Sequence, residues 1–349
     1  MYARPRFLSL ITTRRCTAAC DNCCFGCSPK AAKAIPVPRM HGLIDEAAAI
    51  PSMEMVAFTG GECFLLGKEL DALVARAARL ALRTRVVTNG YWAVTPLAAQ
   101  RRLANLRAVG LCEIHLSTGM FHERFVPVAR VLHAARAAAE AGLAVSVSVE
   151  ECAGSTFDGS AVDAELDDLM RSGRVQILRQ PWIANAEGRS DTRLAHDPAS
   201  SRFLSENRGG CSTILDVLSV TPDQTLIACC GFTMEAIPDL HLGSVAERRL
   251  DEVLAAAPTD LMKYWLHVEG PEAILAFVQR FEPGYRLLES PAICQTCLHL
   301  HRDPVVQQVI AAHLDAIPAR EILTAFAQQA EARYRSFERS AAATEQQRR

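Results

Sequence analysis

Thirteen cysteines stand in this 349-residue chain, five between Cys16 and Cys27 and five between Cys211 and Cys297. No export leader precedes the strand-like run at Phe7, so a cytoplasmic, reducing setting is expected, where thiols serve metal or redox chemistry rather than disulfides. Cys16, Cys20 and Cys23 form CX3CX2C. Three thiolates on one short loop can hold three irons of a 4Fe-4S cluster and leave the fourth iron to a ligand that is not protein. Zinc would need a fourth ligand there, with Cys24 and Cys27 at hand. In the second group, Cys211, Cys229, Cys294 and Cys297 supply four thiols, which suit a further cluster or a structural zinc equally. Cys230 cannot easily join Cys229 on the same cluster, so one ligates and the other is a free thiol beside the site. Cys63 and Cys112 read as small buried residues. Cys152 follows the polar face of a strand, where a thiol could donate a hydrogen atom to a substrate radical, and Cys230 is the other candidate for that role. His299 and His301 flank Cys297 closely enough to tune whatever it binds.

These residues need a scaffold, and alternating short apolar runs with alanine-rich stretches provide one. Strands are expected at residues 7–13, 56–59, 85–88, 113–117, 144–150 and 175–179, with helices at 40–50, 68–82, 96–108, 126–141 and 162–172. Strands separated by single helices pair in parallel, so the expected fold is α/β, a partial (β/α)6 barrel of the TIM type. Chemistry in such folds gathers where strands end in loops. Cys16 to Cys23 follow the first strand, Gly60, Gly61 and Glu62 the second, Asn89 the third, while Ser117 ends the fourth and Glu150 the fifth. In the fifth strand Val145, Val147 and Val149 share one face and Ser146, Ser148 and Glu150 the other. Glu113, His115 and Ser117 repeat that polar row on the fourth, which points to a wet or ligand-filled interior.

Beyond about residue 207 the pattern changes to a strand pair around Pro222–Gln224, a helix at 272–281, a Cys-x-x-Cys loop at 294–297 and an amphipathic tail helix at 305–337 with a frayed end. The expected divisions are residues 1–200 for the barrel, 205–300 for a second module and 301–349 for the helical tail. Thirty-seven Lys and Arg against thirty-nine Asp and Glu leave a net charge of -2, so a generic surface for nucleic acid is not expected. Half of the residues are hydrophobic, which is enough for a large core. The longest alanine-rich run, 70–82, is interrupted by Arg76 and Arg79, and nothing reaches the roughly 18–20 apolar residues of a membrane span.

CX3CX2C after the first strand, TGGE at residues 59–62, VVTNG at 86–90 and Ser117 with MFHERF at 120–125 together resemble the radical S-adenosylmethionine (radical SAM) superfamily. The resemblance spans about residues 6–185. It implies a 4Fe-4S cluster on Cys16, Cys20 and Cys23, and S-adenosylmethionine held by Asn22, Gly60, Gly61, Glu62, Asn89, Ser117, Ser148 and Glu150. Asn22 stands where the family usually has an aromatic residue near the adenine. The second cysteine group resembles the SPASM and twitch extensions of the same superfamily, with Gln224 in place of the signature glycine. That resemblance implies one auxiliary 4Fe-4S cluster on Cys211, Cys229, Cys294 and Cys297. A turn at Gln224 is expected to keep negative φ.

The implied activity is reductive cleavage of S-adenosylmethionine to a 5′-deoxyadenosyl radical that abstracts hydrogen from a substrate. Relatives with such modules commonly modify ribosomally synthesised peptides by crosslink, thioether, epimer or ring formation, so a peptide is the expected substrate. A separate peptide-recognition protein and an electron donor such as flavodoxin or ferredoxin are the expected partners. A radical dehydrogenase or mutase of a sugar, nucleoside or amino acid is the alternative, and a non-catalytic iron-sulfur protein the second.

Overall fold

A computed structural model describes residues 4–151, 157–181, 209–257, 260–287 and 292–348, the side chains of 151, 181 and 334–348 excepted. The chain begins with β1 (Phe7–Ile11), α1 (Val37–Ala48), β2 (Met55–Thr59), α2 (Lys68–Arg79), β3 (Arg83–Thr88) and α3 (Pro96–Ala108). There follow β4 (Glu113–Gly119), the single turn α4 (Met120–Glu123), α5 (Val128–Glu140), β5 (Ala144–Glu151), α6 (Gly159–Arg171) and β6 (Val175–Pro181). β1 to β6 pair in parallel in chain order, giving the open, partial (β/α)6 barrel.

Local chemistry sets these boundaries. Thr95 accepts the Ala98 amide at 3.2 Å ahead of Pro96, and Asp158 accepts the Ser160 amide at 2.9 Å. Each thereby satisfies an N–H that the first helical turn leaves orphaned. α2 turns Leu70, Leu73, Val74 and Ala77 inward at helical spacing. They meet the outer faces of the strands, where Leu8, Leu10, Val56, Phe58, Val86 and Ile114 are all 0 % exposed. Each such side chain contributes about 1.5–3 kcal/mol on burial. The opposite face of every strand is left to the barrel interior.

The hairpin expected after residue 207 is present, but it belongs to the barrel's own sheet. β7 (Val217–Val220) lies parallel to β1, with Phe7 opposite Val217 and Leu10 opposite Val220. β8 (Thr225–Ile227) and β9 (His241–Ser244) continue antiparallel, so the order is β6-β5-β4-β3-β2-β1-β7-β8-β9. The bond between β1 and β7 is reinforced at its base, where Arg6 donates Nε and Nη2 to Asp216 at 2.8 and 2.7 Å.

The turn before β8 corrects one expectation: Gln224 has φ +59°, in the left-handed region. Its amide donates to Thr221 O and its carbonyl accepts from Val245, both at 2.8 Å, and these bonds hold the strained residue in place.

Helices α7 (Leu250–Ala256), α8 (Leu261–Val268), α9 (Gly270–Phe281), α10 (Ile293–Arg302), α11 (Pro304–Ala312) and α12 (Ala319–Arg348) complete the chain. Cys294 and Cys297 lie inside α10 rather than on a loop, and a spacing of three puts both thiols on one helical face. The tail backbone is helical as far as Arg348 rather than frayed, in keeping with its Ala, Glu, Gln and Arg content. Phe326 of α12 packs edge-on against Tyr264 and His267 of α8, at 4.7 and 4.9 Å between ring centres. Among the described residues no helix is long and apolar enough to cross a membrane.

Candidate active site

The inner faces of the strands and the loops at their C-terminal ends enclose a cavity of about 520 Å³. Its cysteine loop is closed at the neck by paired edges. On one edge Gly61 and Glu62 amides donate to Thr13 O and Arg15 O at 2.6 and 2.9 Å; on the other, Ser28 donates to Arg14 O and Cys16 to Ser28 O at 3.2 and 3.1 Å. This packing explains the glycine pair in TGGE: a Cβ on Gly61 would lie 2.3 Å from Arg15 O, and one on Gly60 2.6 Å from Thr13 O. Arg14 then ties the loop to the second half of the chain. It donates to Phe25 O at 2.6 Å and to both Glu235 oxygens at 2.8 Å.

All five cysteines of this loop line the cavity. Cys16, Cys20 and Cys27 are buried and pack with Ala18 and Phe121, with Cys23 at their border. Amide hydrogens point at two of the sulfurs: Ala18 N lies 3.4 Å from Cys16 Sγ and Cys27 N 3.4 Å from Cys23 Sγ, while Asn89 Nδ2 approaches Cys16 Sγ at 3.6 Å. Burial pushes the Cys16 thiol up to about 11 and raises that of Cys20 further. The metal-free thiols therefore keep their protons, and a metal would have to displace them. Among the described residues no three His, Cys, Asp or Glu converge on one metal-ion position. The donor set, thiols bordering an open cavity with amide N–H groups aimed at sulfur, fits an iron-sulfur cluster.

Around the thiols lie the other residues singled out in the sequence. Glu62 is fully buried and spends its carboxylate inside the protein, accepting from Thr88 Oγ1, Asn89 N and Phe64 N at 2.8, 2.9 and 3.0 Å. Burial holds it up at about 7 against those three bonds. Thr59, Gly60 and Gly61 are thus the part of TGGE that lines the cavity, with Asn89, Ser117, Ser148 and Glu150.

Glu150 accepts from Asn22 Nδ2 at 2.5 Å and contacts His122 Nδ1 at 3.1 Å. The other side-chain atom of that amide, Asn22 Oδ1, stays buried without a partner. Burial lowers the His122 pKa, but Glu150 more than offsets it and the net shift is upward. His115 bridges Ser146 and Ser148 through Nδ1 at 2.8 Å and Nε2 at 2.9 Å. Burial, helped by the Arg85 charge, drives it down to about 4. Sequence reasoning did not single out His122, Arg85 or Ser219 as site residues. For Arg85 and Ser219 the only available signal was period-2 alternation within RTRVVT and VLSV.

In the second group, Cys211 Sγ contacts Thr213 Oγ1 at 3.2 Å and Gly231 N donates to Cys229 Sγ at 3.1 Å. A Cβ on Gly231 would sit 2.9 Å from Cys294 Sγ and 3.3 Å from Cys229 Sγ, so the glycine makes room for both sulfurs. The cysteine pair divides here: Cys229 is buried on the side of Cys294, whereas Cys230 lines the main cavity. Burial and the neighbouring Cys294 and Cys211 push Cys230 up to about 12, and burial takes Cys294 to about 11. Cys297 lies on the α10 face with Cys294, and Cys152 lies outside the described residues. The histidines after Cys297 have partners of their own, His299 with Tyr285 at 2.6 Å and His301 with Asp239 at 2.9 Å. Cys63 is buried and Cys112 half-buried.

Known proteins share this architecture. The fold of anSMEcpe, solved with bound AdoMet and the Cp18Cys peptide, matches with a TM-score of 0.53 at 11% identity, covering 88% of this chain and 99% of that one. SuiB of Streptococcus suis, solved with its precursor peptide SuiA, aligns at a TM-score of 0.47 and 11% identity over 84% of this chain and 76% of that one. In sequence, 119 residues are 27% identical to YydG of Bacillus subtilis (strain 168), whose name assigns it provisionally to peptide biosynthesis; they make up 34% of this chain and 37% of YydG. The model of the radical SAM superfamily matches residues 10–151, which contain the cysteine loop, TGGE, VVTNG and β1 to β5. Over residues 10–151 this chain is therefore similar to the radical SAM superfamily.

Proposed function

We propose that this protein is a radical SAM enzyme that epimerises a residue of a ribosomally synthesised peptide, with Cys230 as hydrogen-atom donor. The observation that carries the reading is one cavity lined by Cys16, Cys20 and Cys23 and also by Cys230. The likeness to YydG supports a peptide substrate.

When bound, a 4Fe-4S cluster and S-adenosylmethionine supply a 5′-deoxyadenosyl radical, which removes a hydrogen atom from an unactivated C–H bond. Cys16, Cys20 and Cys23 would hold that cluster, with Asn22, Gly60, Gly61, Asn89, Ser117, Ser148 and Glu150 around the nucleoside and methionine portions. Glu62 acts from beneath by fixing the Asn89 backbone. Cys211, Cys229, Cys294 and Cys297 would hold an auxiliary cluster. Cys230 gives its Sγ hydrogen to the substrate radical from the other face, and its thiyl is restored by one electron and one proton. A flavodoxin or ferredoxin supplies the electron, and a separate protein that recognises the peptide delivers the substrate.

Anaerobic reconstitution tests this. The parent is expected to hold about eight irons and the Cys16, Cys20 and Cys23 triple-alanine variant about four, with 5′-deoxyadenosine formed only by the parent. With a candidate precursor peptide in deuterated water, the parent incorporates one deuterium per inverted residue, and Cys230→Ala consumes S-adenosylmethionine without inversion. Unchanged iron in the triple variant removes the cluster assignment. Inversion by Cys230→Ala removes the thiol's role, and a product two hydrogens lighter makes the reaction a crosslink.

A further inference from the structure

The sheet register places five residues at one level across the barrel interior: Ser219 opposite Ser9, Ser9 opposite Ala57, Ala57 opposite Arg85, and Arg85 opposite Glu113. Arg85 is the large cationic member of that row, and the small side chains of Ser9 and Ala57 leave the space between it and Ser219 open. Phe7, Met55 and Val217, one level lower, close the cavity with an apolar floor. Arg85, Ser219, Ser9 and Ala57 all line the cavity.

Two polar groups in this row have no partner. Arg85 Nε and Ser219 Oγ are both buried without a hydrogen bond, and Ser219 as a whole is 0 % exposed. A buried polar group left unsatisfied is costly, so a bound group that satisfies it is favoured. Arg85 Nη2 donates to Glu113 Oε1 at 2.5 Å, but Glu113 also faces Arg83 at 4.0 Å. Glu113 is thus shared, while Arg83 also faces Glu54, so the surrounding charges balance and what the row offers is the unpartnered Arg85 Nε. His115, one level above, adds no charge near neutrality and has both nitrogens engaged.

We propose that Arg85 and Ser219 form a carboxylate-binding subsite on the cavity floor, which holds an acidic group of the peptide beside the residue presented to Cys230. A guanidinium N–H and a hydroxyl that lack partners are donors of the kind that carboxylate recognition uses. The inference rests on the radical-enzyme reading for its substrate, and it adds that the substrate is acidic close to the modified residue. The acidic group is either an Asp or Glu side chain or the peptide's own C-terminus, and the test separates them.

Three probe peptides, acetyl-Val-Glu-Val-amide, acetyl-Val-Gln-Val-amide and acetyl-Val-Gln-Val with a free C-terminus, are titrated calorimetrically into the reconstituted protein with S-adenosylmethionine present. The parent is expected to bind at least one carboxylate-bearing probe at least tenfold more tightly than the uncharged probe. Preference for the Glu probe assigns the subsite to a side chain, and preference for the free-carboxylate probe to a C-terminus. Arg85→Gln is expected to abolish the preference, Arg85→Lys to keep part of it, and Ser219→Ala to reduce it several-fold, with iron content at the parent level as the check on folding. If Arg85→Gln does not fold, the probe comparison on the parent and on Ser219→Ala decides. No preference in the parent, including no binding of any probe, or a preference that survives Arg85→Gln, overturns the subsite. A parent that holds iron and releases 5′-deoxyadenosine but ignores the carboxylate refutes this inference alone; a parent that does neither refutes the enzyme reading.

Discussion

A buried histidine with both ring nitrogens committed is a pH sensor by default. His115 titrates near 6.5 when unfolded and near 4 when folded, because burial penalises its charged form. A depressed folded pKa means that its contribution is present above pH 6.5 and is lost as pH falls through 4. His115→Gln should therefore lose less stability than the parent between pH 6.5 and 4, by up to about 3 kcal/mol, in denaturant melts at matched pH. An equal fall in both proteins would show that His115 is not the sensor. At Gln224, the left-handed backbone makes glycine the better residue. Gln224→Gly should raise the thermal midpoint, by the equivalent of about 1 kcal/mol at most, since glycine's greater unfolded freedom takes back part of the relief. Gly61→Ala should do the reverse and lower iron uptake, because its Cβ has nowhere to go but into Arg15 O.

At this scale the cysteines were legible in the sequence because three thiols at CX3CX2C spacing suit few other uses, and Gly60 and Gly61 because they follow the next strand. Glu62 was legible as a site residue, but which way its carboxylate turns was not. Arg85 and Ser219 stayed hidden, since an inward-facing side chain differs from an outward-facing one only in what lies across the barrel from it.

Elements are joined here by a few charged contacts that no local pattern announces. Arg14, on the extended segment after β1, grips the cysteine loop at Phe25 O and the 3-10 turn Met234–Ala236 at Glu235. With side chains only 17% and 18% exposed, the pair is shielded enough to matter. Arg14→Ala should cost about 2–3 kcal/mol, because Glu235 is left without its partner, and should speed amide exchange across residues 20–28. Equal exchange in variant and parent would mean that the loop is held by its neck alone.

The helices and strands of the barrel were legible to within a few residues, because apolar spacing marks most of them and Thr95 and Asp158 cap two of the helices. The helical setting of Cys294 and Cys297 was not. A Cys-x-x-Cys pair reads as a loop until a tightly packed neighbour such as Gly231 shows where the second pair of sulfurs must come.

For the molecule as a whole, the decisive pairing is β1 with β7. It makes the first strand an interior one and brings Cys230 to the cavity that the first cysteine group lines. Expressed alone, residues 1–200 would carry β1 with an unpaired, apolar edge, and should be recovered as aggregates unless residues 209–348 are supplied. A monodisperse peak for the fragment on size exclusion would refute this. The fold class could be read from the alternation of strand and helix, but the join could not. Parallel partners two hundred residues apart leave no short-range trace, and a strand four residues long looks the same in a hairpin as in a barrel.

The same pairing sets a clock on synthesis. β1 leaves the ribosome early, yet the strand that covers its second edge ends at Val220, and at about 5–20 residues per second that is a delay of roughly 10–40 s. Throughout that interval the nascent chain shows an open strand edge beside five reduced thiols. Whatever shields it then, a chaperone or a cluster-loading protein, has to act on the growing chain rather than on the finished one.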